Sequence, residues 1–491
     1  MELRRDSNQA LGIARFAVEF LAGQIAIDPQ VLERVSLFHL DSVACGIAAL
    51  ALKLNAPSVL LGEAARYQRQ DGATCFGGLR TAPEKAVVAN SSAVRELDSN
   101  GTNFGYNPAR GDDAGEFGHN DFYPVAMAAA EVVGADGAAA LRAMLCIDEI
   151  RGRLAEVFSL KDHKIDHVVH GAIASAAVYA AMLGGTEEQI ESAIGLVVAH
   201  AIPFRAIRAG HQLSDSKGAS AAWSAETAVV AAQRALAGFR GPADVFRNPQ
   251  AIFRLFEPSE DGYSPFDLFL GDGSDFAVMG MHFKLGIYEH QSAGAIHGLI
   301  DTLSKHPQLL NDLSQVDRIK IAIYEPAFSI IGDPAKRDPQ TRQSADHSMV
   351  YIIATLIRKA QEQGAASWEE LMLVPADYDD DALHHPPTRQ WMDKIEFVHG
   401  GEEFDAKYPE GIPTQLTLDC GDQQFDSGLV MFPLGHAESD ESRWGPILQQ
   451  KIERFVALGV QDKDELISKM LRIGELTSEE LRDLYAFELE P

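Results

Sequence analysis

Asp98, Thr102 and His119 set a carboxyl, a hydroxyl and an imidazole around one loop. Arg95-Glu-Leu-Asp98-Ser-Asn-Gly-Thr102 runs into a Gly-rich acidic insert, which closes at Gly118-His119 just before an Ala-rich helix that starts near Pro124. A loop carrying ionisable groups between fixed helices is a means of assembling proton transfer. The same residues also fit duller roles, Asp98 in a turn with Asn100 and Gly101, His119 as a polar residue ahead of a helix. Four more segments repeat the theme of polar groups at the head of an apolar helical run: Lys161–His167, Leu213–Gly218, Lys284–His290 and Asp346–Tyr351.

Lys217 falls in the first turn of an Ala-rich helix, where a cation opposes the helix dipole. A substrate carboxylate shared with the free N–H groups of that turn would offset it, as would the neighbouring Asp215 or plain exposure. Arg205 and Arg208 lie just upstream, so this is the best anion site in an acidic chain. His163, His167 and His170 share a helical face, which suggests a metal, but no Glu completes a His-Glu-x-x-His set. The preferred reading is a substrate-facing His167 and no metal. His290 and Tyr351 come from a later unit, and each taken alone fits packing better than chemistry.

These groups need a scaffold, and residues 1–275 read as almost wholly helical. Asp28-Pro29 is a cap and first-turn pair, Gly184-Gly185 stops a helix that begins near Val168, and Thr186-Glu-Glu-Gln189 is a capping box. Small residues along 172–181 and 219–237 allow close helix packing. From about 276 to 436 the texture changes: Arg318–Tyr324, Ile395–Phe397 and Gln415–Cys420 alternate as strands, and helical runs at 290–304 and 346–363 alternate with them. Residues 437–491 are helical again. The expected fold is therefore mainly α: a multi-helix domain built from both chain ends, with an inserted α+β lid whose two crossings form a hinge.

Composition narrows the function. The 491 residues, 46% hydrophobic and 23% charged, fit a globular protein of two or more domains. The formal charge of −29 argues against nucleic-acid or anionic-membrane partners. Cys45, Cys75, Cys146 and Cys420 are scattered, which fits reduced thiols in a cytoplasmic protein better than disulfides, zinc or an iron–sulfur cluster. The start has no secretory core, and no uninterrupted apolar run reaches a membrane span.

Together the segments resemble the MmgE/PrpD superfamily of 2-methylcitrate dehydratases, which also includes cis-aconitate decarboxylase and iminodisuccinate epimerase. The resemblance spans nearly the whole chain. It rests on Val31-Leu-Glu-Arg with Leu40–Cys45, Arg95–Asp98 with Gly118-His119, Leu213–Gly218 with Gly241-Pro242, Lys284 to His290-Gln-Ser-Ala, Asp346-His347-Ser348 with Tyr351, and Pro433-Leu-Gly-His436. It implies a homodimer of propionate catabolism, free of cofactor, whose cleft between helical and inserted domains binds a small di- or tricarboxylate. The matching positions are Asp98, Thr102, His119, His167, Lys217, His290 and Tyr351. Two departures stand beside them: Asn120-Asp121 after the loop histidine, and the length of the insert from Thr102 to Gly118.

Dehydrating a 2-hydroxy tricarboxylate means removing a weakly acidic C–H, stabilising the charge that forms, and protonating the departing hydroxyl. The expectation is that His119 and Asp98 form the proton-transfer pair and that His167 and Tyr351 assist the hydroxyl. Lys217, with Arg208 and His290, holds the carboxylates and the developing charge, and Thr102 contacts the substrate. Decarboxylation of cis-aconitate and epimerisation of an imino diacid are alternatives in the same pocket. A helical interaction scaffold is the alternative from another class, disfavoured by the lack of repeats.

Overall fold

Small side chains decide how closely the helices of the first part approach. These are Gln9–Leu21 (α1), Pro29–Ala51 (α2), Pro83–Glu96 (α3), Tyr123–Val133 (α4), Gly137–Val157 (α5), Val168–Met182 (α6), Glu187–His200 (α7) and Asp215–Leu236 (α8) in a computed structural model that describes all residues but 209–211, 332–333 and 491. The last residue of the expected 437–491 segment thus lies outside the described residues. Helix α8 packs on α3, α6 and α7 through buried alanines such as Ala221, Ala222, Ala225 and Ala228. At its head, a Cβ on Gly218 would come within 2.4 Å of the Glu96 carboxylate. Glycine there lets α8 start beside the end of α3, and both helices deliver residues to the site.

The caps behave as their residue types require. Thr186 and Gln189 close a reciprocal capping box at α7. Asp28 takes extended backbone before α2, but its side chain makes no capping bond, so Pro29 at the first position is what starts that helix. Helix α2 is long and apolar enough to cross a membrane, yet 78% of its most apolar window is buried inside the protein. It is a core helix, and it carries the buried polar side chains of His39 and Asp41. The first part also contains short β pairings that the helical reading omitted. One of them, Thr102–Asn103 (β1) against Gly118–His119 (β2), closes the base of the acidic insert with Thr102 opposite His119.

The second part contains a four-stranded sheet of Arg318–Ile323 (β3), Ile395–His399 (β4), Thr414–Cys420 (β5) and Gln423–Val430 (β6), in the order β6-β5-β3-β4. The β3–β4 pair is parallel and the others are antiparallel. Ile319, Ile321 and Ile323 alternate inward on β3, as period-two patterning demands. Ala293–Lys305 (α9) covers β5 and β6, and Met349–Gln363 (α10) contacts α9. After the sheet the chain returns to helix with Glu441–Val456 (α11), which packs on α2. The fold is mainly α with a small β-containing region.

Candidate active site

Asp98 is the residue around which the site is built. It follows α3 with φ +47°, in the left-handed region that Asp tolerates better than most side chains but which still carries strain. Four cationic or imidazole groups hold it there. Its Oδ1 accepts from Lys284 Nζ at 2.5 Å and from Arg95 Nη1. Its Oδ2 lies 2.8 Å from His347 Nδ1 and 3.5 Å from Lys217 Nζ. A second carboxylate, Asp346, takes Lys217 at 2.8 Å and Arg342 at 3.1 Å. Burial acts against the charge on Asp98, but Arg95, Lys217 and Lys284 overcome it and hold the carboxyl well below the usual range. Asp98 is therefore a fixed anion. A carboxylate so stabilised is a weak base and carries no proton to give at neutral pH, which bears on its expected place in the proton-transfer pair.

Lys217 has a different place from the one its helix position suggested. Its compensating anion is Asp346, contributed by the second part of the chain, while Asp215 instead bonds Asn55 and Gln343. Its side chain is fully buried and lies behind the cavity wall. Burial pushes its pKa down despite Asp346 and Asp98.

The cavity itself, about 80 Å³, is lined by Asp98, Thr102, His119, His167, Arg208 and His290 among the expected residues. Thr102 Oγ1 donates to the Gly118 carbonyl at 3.0 Å across the β1–β2 pair, which sets the loop base. The His119 carbonyl receives Arg151 Nη1 at 2.6 Å, fixing the backbone under the ring. His167 immediately precedes α6, with its ring centroid 5.0 Å from that of His119. Arg208 grips Asp166, the residue before His167. Burial is the first cause that drives the pKa values of His119, His167 and His290 well below that of free imidazole. All three are thus neutral near pH 7, the form in which imidazole accepts a proton. A neutral His290 meets a substrate carboxylate as a hydrogen-bond donor and not as a charge. Among the described residues, His119 Nδ1, His167 Nε2 and His290 Nδ1 are buried without a protein partner.

Tyr351 is not among the residues that line the cavity in this structure. It lies in the first turn of α10 but is fully buried, and its hydroxyl donates to the Asp377 carbonyl at 2.6 Å, away from the lining residues. Of the i, i+4, i+7 histidines, only His167 reaches the cavity: His163 Nε2 lies 3.1 Å from Glu257 and His170 is buried within α6. Among the described residues, Asp98, Asp346 and His347 are the group close enough to share a metal ion, but Lys217, Lys284, Arg95 and Arg342 already balance both carboxylates.

Arg95, Lys284, Glu289 and His347 line the same cavity without having been singled out as site residues, beside Arg205 from the expected anion site. The available signal was charge: a carboxyl placed at the end of a buried helix needs buried cations nearby. Lys284 is pushed down to about 8, chiefly by burial. Glu289 is pushed up to about 7 by burial, although Ser292 and the Gln291 N–H hold its carboxylate. From α11, Lys451 Nζ ties the assembly together, 2.6 Å from Asp41 and donating to the carbonyls of Ser99 at 2.8 Å and Lys284 at 2.6 Å.

Comparison with known proteins matches residues 12–262 to the MmgE/PrpD N-terminal domain and residues 290–473 to the MmgE/PrpD C-terminal domain. Similar proteins include 2-methylcitrate dehydratase of Escherichia coli (strain K12), 25% identical over 423 residues, covering 81% of this chain and 80% of the relative. A probable 2-methylcitrate dehydratase of Saccharomyces cerevisiae is 24% identical over 476 residues, covering 91% and 86%. A cis-aconitate decarboxylase-like protein of Aspergillus oryzae is 23% identical over 456 residues, covering 88% and 87%.

Proposed function

The chain belongs to the MmgE/PrpD family, and on that premise we propose that it is a hydro-lyase removing water from a small 2-hydroxy tricarboxylate of the 2-methylcitrate type. The observation that carries this reading is the convergence of three neutral buried imidazoles and several cations on one cavity of a strongly acidic protein. Elimination needs both kinds of group. One imidazole accepts the C–H proton beside a carboxylate, the electron pair forms the C=C bond, and the C–O bond breaks as a second group gives the departing oxygen a proton, so that water leaves. His119 and His167, whose rings are neighbours, fit the accepting role, and Glu289, which lines the same cavity and is pushed up to about 7 by burial, fits the group that gives the proton. Arg205, Arg208 and Lys284 fit the substrate carboxylates and the charge that develops on them. Asp98, Lys217 and Asp346 hold Lys284 and Arg95 in register without taking part in the proton inventory.

The decarboxylase-like relative supports a second reading, in which the same cations hold a carboxylate beside the bond that releases carbon dioxide. A single assay separates the two. Purified protein is incubated with 2-methylcitrate, citrate, cis-aconitate and iminodisuccinate, and unsaturated acid and carbon dioxide are followed separately. Ultraviolet absorbance rising with 2-methylcitrate and no gas supports the hydro-lyase; carbon dioxide from cis-aconitate transfers the reading to a decarboxylase. Extensive chelation is expected to leave turnover unchanged, since the buried carboxylates already have amine and guanidinium partners. Loss of turnover restored by a divalent metal would overturn that.

A further inference from the structure

His290 has a partner that elimination chemistry alone does not call for. Its Nε2 lies 2.8 Å from Nδ1 of His282, while its own Nδ1 has no protein partner among the described residues. His282 does not line the reaction cavity. It lines a separate cavity of about 530 Å³, together with Arg153, Glu156, Asp275 and His436. At this point the wall between the two cavities is one imidazole pair thick.

We propose that His282 and His290 form a proton relay between the reaction cavity and the second cavity, resetting the site after each turnover; this rests on the hydro-lyase reading above. After elimination the base keeps a proton that the acid has lost, and both must return to their starting states. The transfer balances as follows. His290 takes a proton on Nδ1 and passes the one on Nε2 to His282 Nδ1. His282 in turn releases its Nε2 proton to water in the second cavity. Each ring ends neutral, with its tautomer exchanged, and the reverse sequence restores both.

The surroundings suit a wire rather than a swinging side chain. The His282 backbone is tied to Thr102 in both directions, at 2.6 and 3.0 Å. Phe104 packs on both rings, with centroids 5.4 Å from His282 and 5.1 Å from His290. The His436 ring lies 3.9 Å from that of His282, and its Nδ1 accepts the Glu438 N–H at 3.1 Å. Burial keeps His282 neutral, as a relay between neutral rings requires. Burial also pushes Glu156, in the second cavity, up to about 7, so a group able to take or give a proton stands at the far end.

The test compares His282→Asn and His282→Phe with wild type in rapid-mixing assays on the acid that wild type turns over. The expected result is a first turnover close to wild type, followed by a steady-state kcat lower by about 10- to 100-fold, with added imidazole recovering part of the loss. Equal losses in the first and later turnovers, with no recovery by imidazole, reduce His282 to packing and overturn the relay. Unchanged kcat overturns it too. If wild type turns over none of the panel, the hydro-lyase reading falls and takes the relay with it, a different outcome from a normal wild type with indifferent variants. If neither variant folds, nitrogen NMR of wild-type histidines decides: a proton shared between the His282 and His290 rings supports the relay, and its absence refutes it.

Discussion

The two ends of the reaction cavity are held by opposite means. Around Asp98, buried charges face opposite charges: Arg95, Lys217 and Lys284, with the His347 ring beside them, on one carboxylate, and Lys217 and Arg342 on Asp346. Around His119, His167 and His290, burial has neutralised the rings, and each has a nitrogen without a protein partner among the described residues. Paired charges keep their geometry because separating a pair strands a buried charge. Unsaturated neutral groups are the ones able to take a proton from something that enters. The contrast divides the site into a frame and a set of working groups, and substitutions at the two ends should fail in different ways.

The largest effect is expected at the imidazole end. His119→Gln removes a proton acceptor from the cavity but strands no charge, so kcat should fall by about 10²- to 10⁴-fold while stability stays within about 1 kcal/mol of wild type. Steady-state kinetics and urea unfolding on one preparation check this. At the other end, Asp98→Asn leaves Arg95, Lys217 and Lys284 short of their common anion. A stability loss of about 3–5 kcal/mol is expected, with activity lost alongside. A stable but inactive Asp98→Asn protein would refute the division and return Asp98 to the working groups.

A pH profile sharpens the comparison, because Lys284 belongs to the frame yet lines the cavity. Burial pushes its amine down to about 8, so it loses its proton, and Asp98 loses a close cation, as pH rises through that value. Activity should fall there. The stability linkage has the opposite sign: between about 8 and the ordinary lysine value the unfolded chain binds more protons than the native one, so this group's contribution to stability rises with pH. Lys284→Arg keeps the charge, and the basic limb of kcat/KM should move upward by more than about one pH unit. A limb that stays in place assigns it to another group.

The sequence made the scaffold legible where the signal was local. The Thr186 capping box, the stop at Gly184 and the alternation of β3 all depend on neighbours within a few residues. The cavity lining was legible at His119, His167 and His290, whose positions in helix-start segments were visible. What escaped depended on contacts over long separations. Lys217 looked like an exposed first-turn cation awaiting a ligand, but its anion is 129 residues away in Asp346. Likewise Asp98 reads as a mobile loop carboxyl until Lys284, 186 residues on, is seen against it. Tyr351 was drawn into the site by its motif, and only the Asp377 carbonyl reveals where its hydroxyl points.

That hydroxyl provides the smallest expected effect. Tyr351 lies near Asp346 and His347 in sequence, so a role at the departing oxygen is a natural inference from the chain. Its ring is fully buried and its hydroxyl hydrogen is committed to a carbonyl in the segment that follows α10. Burial pushes the phenol up to about 12, so it is not an acid the substrate could use near neutrality. Tyr351→Phe keeps the ring and removes one neutral hydrogen bond, which predicts a stability loss of about 0.5–1.5 kcal/mol and a kcat/KM within about twofold of wild type. Steady-state assays and a thermal melt of the variant measure both. A tenfold loss of kcat/KM at unchanged stability would mean that the wall beside Asp377 opens during turnover and brings the phenol to the substrate.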